Sequence, residues 1–539
     1  RLVVVPTAWL MSQRVTSRIF QHRSPLDVLA EILTDYDGAI AALTRRLERS
    51  YPEREYVVQY GESDLDFVLR LLADHGVTLA TALAEGPVVS DALPSFADPA
   101  PPIPFRPPSH LTFDAPHVLA ASFEDQLTAA LATARDYDAD RPPVRLEGRH
   151  FDADAFPTEV PLERYDFAVG KFADDAAAQR RARDQLEAAR AERRVATFVT
   201  SFPLAAGHVI RLADHPRTDA NVEWLVIAST SHVTLERAHH QVHAIPATQP
   251  FRPTPRPTPR IIGTQTAFVV GEGDEEIDVD GQGRVCLRFH WDRRDKSHDT
   301  TRRVRVSQGW AGPGYGFVCL PRVGDEVIVD FLDGDPDRPL VMGRVHNGVS
   351  PPPQQLPEQK AWSTWRSRST PGGEGFNELT FDDAAGAERI YVHAQRDFIA
   401  EVENDAHVTV KGHVYGNVVG NSTGGVKGDG SLSIEGDAEL SVSGDLDVDA
   451  ANITAAAKGE MVLQAGSSRT DHSPKHQIST GWMRINGDNA IQLITPHFHV
   501  RSPDIVLDAH GSKITISSGG ISIESSGDVV VNGSTIKLN

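Results

Sequence analysis

Cysteine is nearly absent from this chain of 539 residues; Cys286 and Cys319 are the two. Two isolated thiols make neither a disulfide framework nor a metal cluster. A reducing compartment of folding, the cytoplasm, is therefore expected, and no metal or cofactor is. Long apolar runs are also missing: no stretch of about 18 such residues exists to span a bilayer. Arg1-Leu2-Val3-Val4-Val5-Pro6 has neither the length nor the cleavage pattern of a secretory leader. It opens without Met in what reads as mid-strand, so residues before Arg1 are expected. Positive charge is in deficit, with 53 Lys and Arg against 74 Asp and Glu, a formal net charge of −21. Such a molecule repels phosphate backbones and anionic lipid, which argues against nucleic acid as a partner and against resting attachment to a membrane.

Proline marks the joints. A cluster in residues 94–118 reads as an exposed insertion loop, and Pro253, Pro255, Pro257 and Pro259 alternate with Thr and Arg as a stiff linker over 250–260. Pro351 to Pro353 form a third break. Residues 1–249 mix helix and strand. Asp64 to Leu72 carries apolar residues at helical spacing before Gly76, and Ala176 to Arg194 is an alanine-rich, charged helix. Strand-like runs follow, at His208 to Leu212 and Trp224 to Ile227. Residues 261–349 are strand and turn: Val285, Leu287, Phe289 and Trp291 alternate, and Arg303–Val306, Phe317–Leu320 and Glu326–Phe331 repeat the theme. Turn signals such as Gly312-Pro313-Gly314 separate them, and the expected fold is a small closed barrel of the oligonucleotide/oligosaccharide-binding type.

From about residue 390 the chain turns to repeats. Gly412, Gly420, Gly428, Gly436 and Gly444 stand eight apart, each two positions after a β-branched residue, Val410, Val418, Val426, Ile434 or Val442. Asn404 and Asn452 extend the frame, Asn being the other residue that tolerates the left-handed backbone expected at a tight corner. The octad predicts strand, corner, strand, corner. Such a strand cannot bury its apolar row alone, and the cheapest neighbours are identical copies. Three chains winding together would pair the backbone groups, remove most free edges and turn alternate apolar side chains inward. At about 4.8 Å per strand, residues 390–539 would build a stiff rod on the order of 80–90 Å long. Apolar pairs continue the theme at Ile505/Leu507, Ile514/Ile516, Ile521/Ile523, Val529/Val531 and Ile536/Leu538, while 466–480 break it as an expected loop.

The middle segment carries a family resemblance. Gly283-Arg284-Val285, Phe289-His290-Trp291-Asp292, Trp310-Ala311-Gly312, Pro321-Arg322-Val323-Gly324-Asp325-Glu326-Val327, Gly334-Asp335-Pro336-Asp337-Arg338-Pro339 and Gly343-Arg344-Val345-His346-Asn347-Gly348 occur in the order seen in VgrG proteins. Those are spike-tip subunits of type VI secretion systems. Asn377-Glu378-Leu379, Phe381-Asp382-Asp383 and His393-Ala394-Gln395 resemble the family's neck. Gln59-Tyr60, Glu62-Ser63-Asp64 and Arg70-Leu71-Leu72 resemble its hub. The resemblance implies a mainly β, multidomain homotrimer. It would comprise a hub-like α+β and β-barrel region over 1–249, truncated at its start, a barrel over 261–349, a neck over 350–389 and an intertwined triple-stranded β-helix needle over 390–539. It further implies a non-enzymatic, cell-puncturing spike seated on a hexameric tube protein and baseplate components. The spike would be capped by a PAAR-repeat protein, loaded with effectors or their adaptors, and driven through a target envelope by sheath contraction. Assembly would be cytoplasmic and the product secreted. The alternative is the hub-spike of a phage or phage-like contractile particle. Family members normally begin about a hundred residues earlier, and some carry a toxic enzyme domain after the needle; none is expected here.

Particular residues were weighed against chemistry. His497 and His499 point to one side of a strand and could hold an axial metal in a trimer, but the repeat frame puts Phe498 and Val500 inside and both histidines in solvent. His290 and Asp292 are expected to fix a strand end. The aspartates Asp335 and Asp337, with Arg338, are expected to shape a turn. The one site expected to bind is the terminal strand Thr535-Ile536-Lys537-Leu538-Asn539, whose three copies would offer a blunt apolar surface for the tip protein.

Overall fold

The computed structural model describes residues 2–40, 42–81, 86–93, 102–108, 115–168, 171–234, 238–294, 300–467, 470, 477, 499–502, 504–509 and 512–535. They divide into two units, Arg1–Val408 and Thr409–Asn539.

The first unit opens with an antiparallel ribbon of β1 (Val15–Arg23) and β2 (Arg54–Ser63), each running directly into a helix, α1 (Pro25–Thr34) and α2 (Asp64–Asp74). Both helix starts are written locally. The Ser24 hydroxyl accepts the Asp27 N–H while the Asp27 carboxylate accepts the Ser24 N–H, and Pro25 occupies the first turn. Ser63 caps α2 through the Asp66 N–H, and Gly76 at φ 68° follows its end. Strand alternation then gives the ribbon two apolar faces. Phe20 and Val57 pack against Val28, Leu29, Ile32, Phe67 and Leu71 of the helices. Ile19, Tyr56 and Val58 point the other way.

Next come β3 (Pro102–Pro104), β4 (Val118–Asp125), β5 (Leu131–Asp136), β6 (Leu146–Phe151), β7 (Glu163–Phe167), α3 (Asp175–Ala191), β8 (Arg194–Thr200), β9 (Val209–Ala213), β10 (Glu223–Val233) and β11 (Ala238–Pro246). Six of them form a sheet in the order β3-β9-β10-β11-β8-β4 over a core of Phe198, Trp224 and Val242. The others form β7-β5-β6, against which α3 lays Ala178, Ala182 and Leu186. Small residues let that helix come close: a Cβ on Gly148 would stand 2.2 Å from the Ala178 backbone. The stretch 94–118 is not simply an exposed loop. Residues 102–104 pair in parallel with β9 and Ile103 enters the core, because an edge strand needs few donors and so tolerates proline. The proline-rich linker is likewise anchored. Arg252 is buried against Glu187 and the Gly76 carbonyl, and Arg256 meets Asp66.

The second fold element is a four-stranded antiparallel sheet, β12 (Gln265–Val270), β13 (Cys286–Phe289), β14 (Glu326–Phe331) and β15 (Pro339–Arg344), in the order β13-β12-β14-β15. Val304 bridges to Val285 and Val306 bridges to Val341, so residues 304–306 link the two sides and close a barrel. Phe317–Leu320, expected as a strand, is not one, and Cys319 is exposed. The barrel core does not belong to the barrel alone: Ala267, Val269, Leu287, Phe289, Val327 and Val341 pack with Ile19, Tyr56 and Val58 of the ribbon. A three-stranded sheet follows, β16 (Trp362–Arg366), β17 (Glu378–Asp382) and β18 (Arg389–His393).

In the second unit an extended segment precedes an antiparallel meander of β19 (Ile505–Ala509), β20 (Ser512–Ser517) and β21 (Gly520–Ser525). Here the apolar pairs meet within one chain: Ile505 lies opposite Ile516, Leu507 opposite Ile514, and Ile514 and Ile516 opposite Ile523 and Ile521. The expected rungs are local hairpins because two-residue closure at Ser518-Gly519 is the least costly pairing open to a single chain.

Candidate functional site

Residues 397–467 find no backbone partner among the described residues. Bends fall at Glu403-Asn404, Lys411-Gly412, Val419-Gly420, Lys427-Gly428, Glu435-Gly436, Ser443-Gly444, Ala451, Lys458-Gly459 and Gly466-Ser467. Up to Gly444 the period of eight is that of the sequence and all five corner glycines sit on it; beyond it the bend falls on Ala451, not on Asn452, and the next pair comes one residue early. Between bends the backbone is extended, yet no described residue of 397–467 forms a backbone hydrogen bond. Every one of them is exposed. Leu432 is 87% exposed, and even the better shielded β-branched row, Val410, Ile434 and Val442, stays near half. Unpaired backbone groups and a contiguous apolar row are each costly in water. The arrangement can lower its free energy only by receiving other strands.

One expectation is corrected. Gly412, Gly420, Gly428, Gly436 and Gly444 do not adopt positive φ, and a Cβ on any of them would meet nothing within 4 Å. Neither the corner conformation nor the single chain's packing requires glycine there. The proposed tip surface lies largely outside the described residues: Thr535 is exposed, while Ile536, Lys537, Leu538 and Asn539 are not described. His497 and Phe498 are also outside them; His499 is exposed. Among the described residues no group of acidic, His or Cys side chains is arranged to hold a metal, and no helix is long and apolar enough to cross a membrane.

Residues weighed for catalysis are structural. His290 bonds the Thr266 hydroxyl at 2.8 Å, and Asp292, its side chain 2% exposed, grips the Arg294 guanidinium at 2.9 Å. Asp335 accepts the Asp337 N–H and pairs with Arg338, as a turn requires. Asp337 does more than shape that turn: its carboxylate accepts the Val58 N–H of β2 at 2.7 Å and pairs with Arg54 at 3.3 Å. Burial pushes this carboxyl up, partly offset by Arg54. The hub motif residues centre on Asp64. Fully buried, it takes Arg14 and Arg18 at 2.6 Å each, the Tyr36 hydroxyl at 2.7 Å and the Gln59 amide at 2.9 Å. Burial and the bond to Asp64 lift the Tyr36 phenol to about 12. Arg70 is buried beside Glu62 at 2.6 Å. These roles were not visible in the sequence, since the partners lie up to 50 residues away along the chain.

Three family models match in the same order as these structural elements. The phage tail baseplate hub covers residues 1–236, the type VI secretion system/phage-baseplate injector OB domain 266–346, and the bacteriophage T4 gp5 C-terminal trimerisation domain 363–472. The type VI secretion system spike protein VgrG4b of Pseudomonas aeruginosa is 39% identical over 439 residues, 77% of this chain and 54% of that protein. The chain belongs to the VgrG family. Spike protein VgrG1a of the same organism is 36% identical over 435 residues, 76% of this chain and 66% of that one. The actin cross-linking toxin VgrG1 of Vibrio cholerae is 34% identical over 435 residues, 76% of this chain but 39% of the toxin. This VgrG chain spans about half the length of most curated relatives it matches. The repeat lies inside the segment matched by the trimerisation model, which is where the chain is left without partners of its own.

Proposed function

We propose that three copies of the chain braid residues 390–539 into the needle of a type VI secretion spike, with the hub seated on the tube and the barrel joining hub to needle. The observation that carries this reading is the octad segment 397–467, bent every seven or eight residues, exposed throughout and without backbone partners among the described residues. Its match to a trimerisation domain supports three as the number. An apolar cleft of about 1140 Å3 in the first unit, lined by Phe317, Leu320, Trp365, Val392 and Ile399, offers further surface for the other copies. The work is mechanical. Cooperative strand pairing among three chains resists bending, as a puncturing shaft requires.

In this reading the exposed end from Thr535 onward takes a PAAR-repeat tip protein. The hub takes a hexameric tube protein and baseplate components, and effectors or their adaptors ride on the assembly. It is built in the cytoplasm and leaves the cell on contraction toward a target envelope. The spike region is proposed to be non-enzymatic, since most matching relatives are named as spike proteins and the toxin relative matches over only 39% of its length. The baseplate-hub match also favours a second reading, the hub-spike of a phage or phage-like contractile particle. Light scattering on the purified chain tests the first requirement: three times 58.7 kDa, about 176 kDa, is expected, and a stable monomer would sink the needle. Deleting residues 397–467 is then expected to abolish export of the tube protein. Loss of tail assembly in a resident prophage instead would favour the second reading.

A further inference from the structure

From Asp429 to Asp449 the needle segment alternates without exception. Even positions are Gly430, Leu432, Ile434, Gly436, Ala438, Leu440, Val442, Gly444, Leu446 and Val448. Odd positions are Asp, Glu or Ser only, with seven acids: Asp429, Glu435, Asp437, Glu439, Asp445, Asp447 and Asp449. Between Lys427 and Lys458 there is no Lys, Arg or His. In the single chain every one of these residues is exposed, and none of the seven carboxylates is in a salt bridge. Extended backbone with period-two alternation puts the acids on one face and the apolar row on the other.

We infer that this segment is a charge brake on needle closure: its three copies zip fully only where counter-ions neutralise the outer face. The inference rests on the trimer reading. Burying the even-numbered row turns the odd-numbered row of each copy outward, and each strand's neighbours at about 4.8 Å are then the same acid-and-serine face of the other copies. Like charges directly opposite across strands destabilise a sheet. The flanking lysines, Lys427 and Lys458, stand at the two ends of the segment, leaving its middle octads without a compensating cation. Closing the segment concentrates charge, so it takes up cations, and salt favours the closed form. Octads before Lys427 contain Lys411 as well as acids and lack this bias.

Hydrogen exchange on the full chain at about 10 mM and about 1 M sodium chloride, with mass measured in the same samples, tests the inference. Peptides covering 429–449 are expected to gain protection severalfold at high salt while those covering 401–420 change little. Neutralising four acids together, Asp437→Asn, Glu439→Gln, Asp445→Asn and Asp447→Asn, is expected to give full protection already at low salt. The pair Glu401→Gln and Glu403→Gln is expected to leave 429–449 unaltered. A trimer whose 429–449 peptides are equally protected at both salts, or whose neutralised variant behaves as the natural chain, overturns the brake and leaves the needle standing. A monomer under every condition overturns the needle itself, and the brake with it.

Discussion

His75 closes α2 as a half-buried ring whose Nε2 is shielded from water. Burial, followed by the nearby Arg54, lowers its pKa to about 4, against the opposing pull of Asp74. Its Nε2 has no hydrogen-bond partner among the described residues. Unfolding returns the ring to an ordinary value near 6.5, so between about pH 6.5 and 4 the unfolded chain binds the extra proton. The resulting stability is complete above pH 6.5 and is lost as pH falls toward 4, by roughly 3 kcal/mol at most. His75→Gln is expected to flatten the pH dependence of hub unfolding within that window and not above it, as urea titrations at several pH values can show. Asp337 presents a different case. Removing its carboxylate in Asp337→Ala strands the buried Val58 N–H and one side of Arg54 together, for a loss of about 3 kcal/mol. Equilibrium unfolding should place that loss in hub and barrel alike.

At the scale of elements, local rules were readable and long-range ones were not. The apolar spacing of Asp64 to Leu72 announces α2, the alanine run announces α3, and alternation at Val285 to Phe289 and Glu326 to Phe331 announces two barrel strands, while α1 with its Ser24 cap went unread. The octad gave the bends, in phase as far as Gly444 and one residue out of step by Lys458-Gly459. What stayed hidden depends on partners distant in sequence. Residues 102–104 became an edge strand only because β9 lies beside them, and Phe317–Leu320 failed to become one despite an apolar pattern. The corner glycines do not take the left-handed backbone expected of them, so what favours glycine there is either nothing within the single chain or close approach by another copy. The two alternatives give opposite signs for one substitution. In an open position with negative φ, Gly436→Ala should stabilise an isolated chain by about 0.4–1 kcal/mol through loss of unfolded-state freedom. If another copy approaches that corner, the same change should weaken the trimer. Dilution series of the natural and alanine forms by analytical ultracentrifugation separate the outcomes.

At the scale of the molecule, the fully buried cores all lie before residue 342, whereas the repeat region contributes no buried apolar side chain among its described residues. Under the proposed reading, stability and association are then housed in different stretches of the chain. A chain ending at residue 349 should keep the thermal unfolding of hub and barrel within error of the full chain while losing its tendency to trimerise. Unfolding of the truncated form at a markedly lower temperature would mean that the needle also holds the hub together.

The ribbon of β1 and β2 sets a limit on how such proteins can be recombined. Because Ile19, Tyr56 and Val58 complete the interior of a barrel that begins more than two hundred residues later, a crossover within the proline-rich stretch 250–260 would mate one lineage's ribbon with another's barrel and leave mismatched side chains sealed inside. Crossovers beyond residue 350 spare that interior. Natural exchange and laboratory chimeras should accordingly favour swapping the shaft while inheriting hub and barrel as one block.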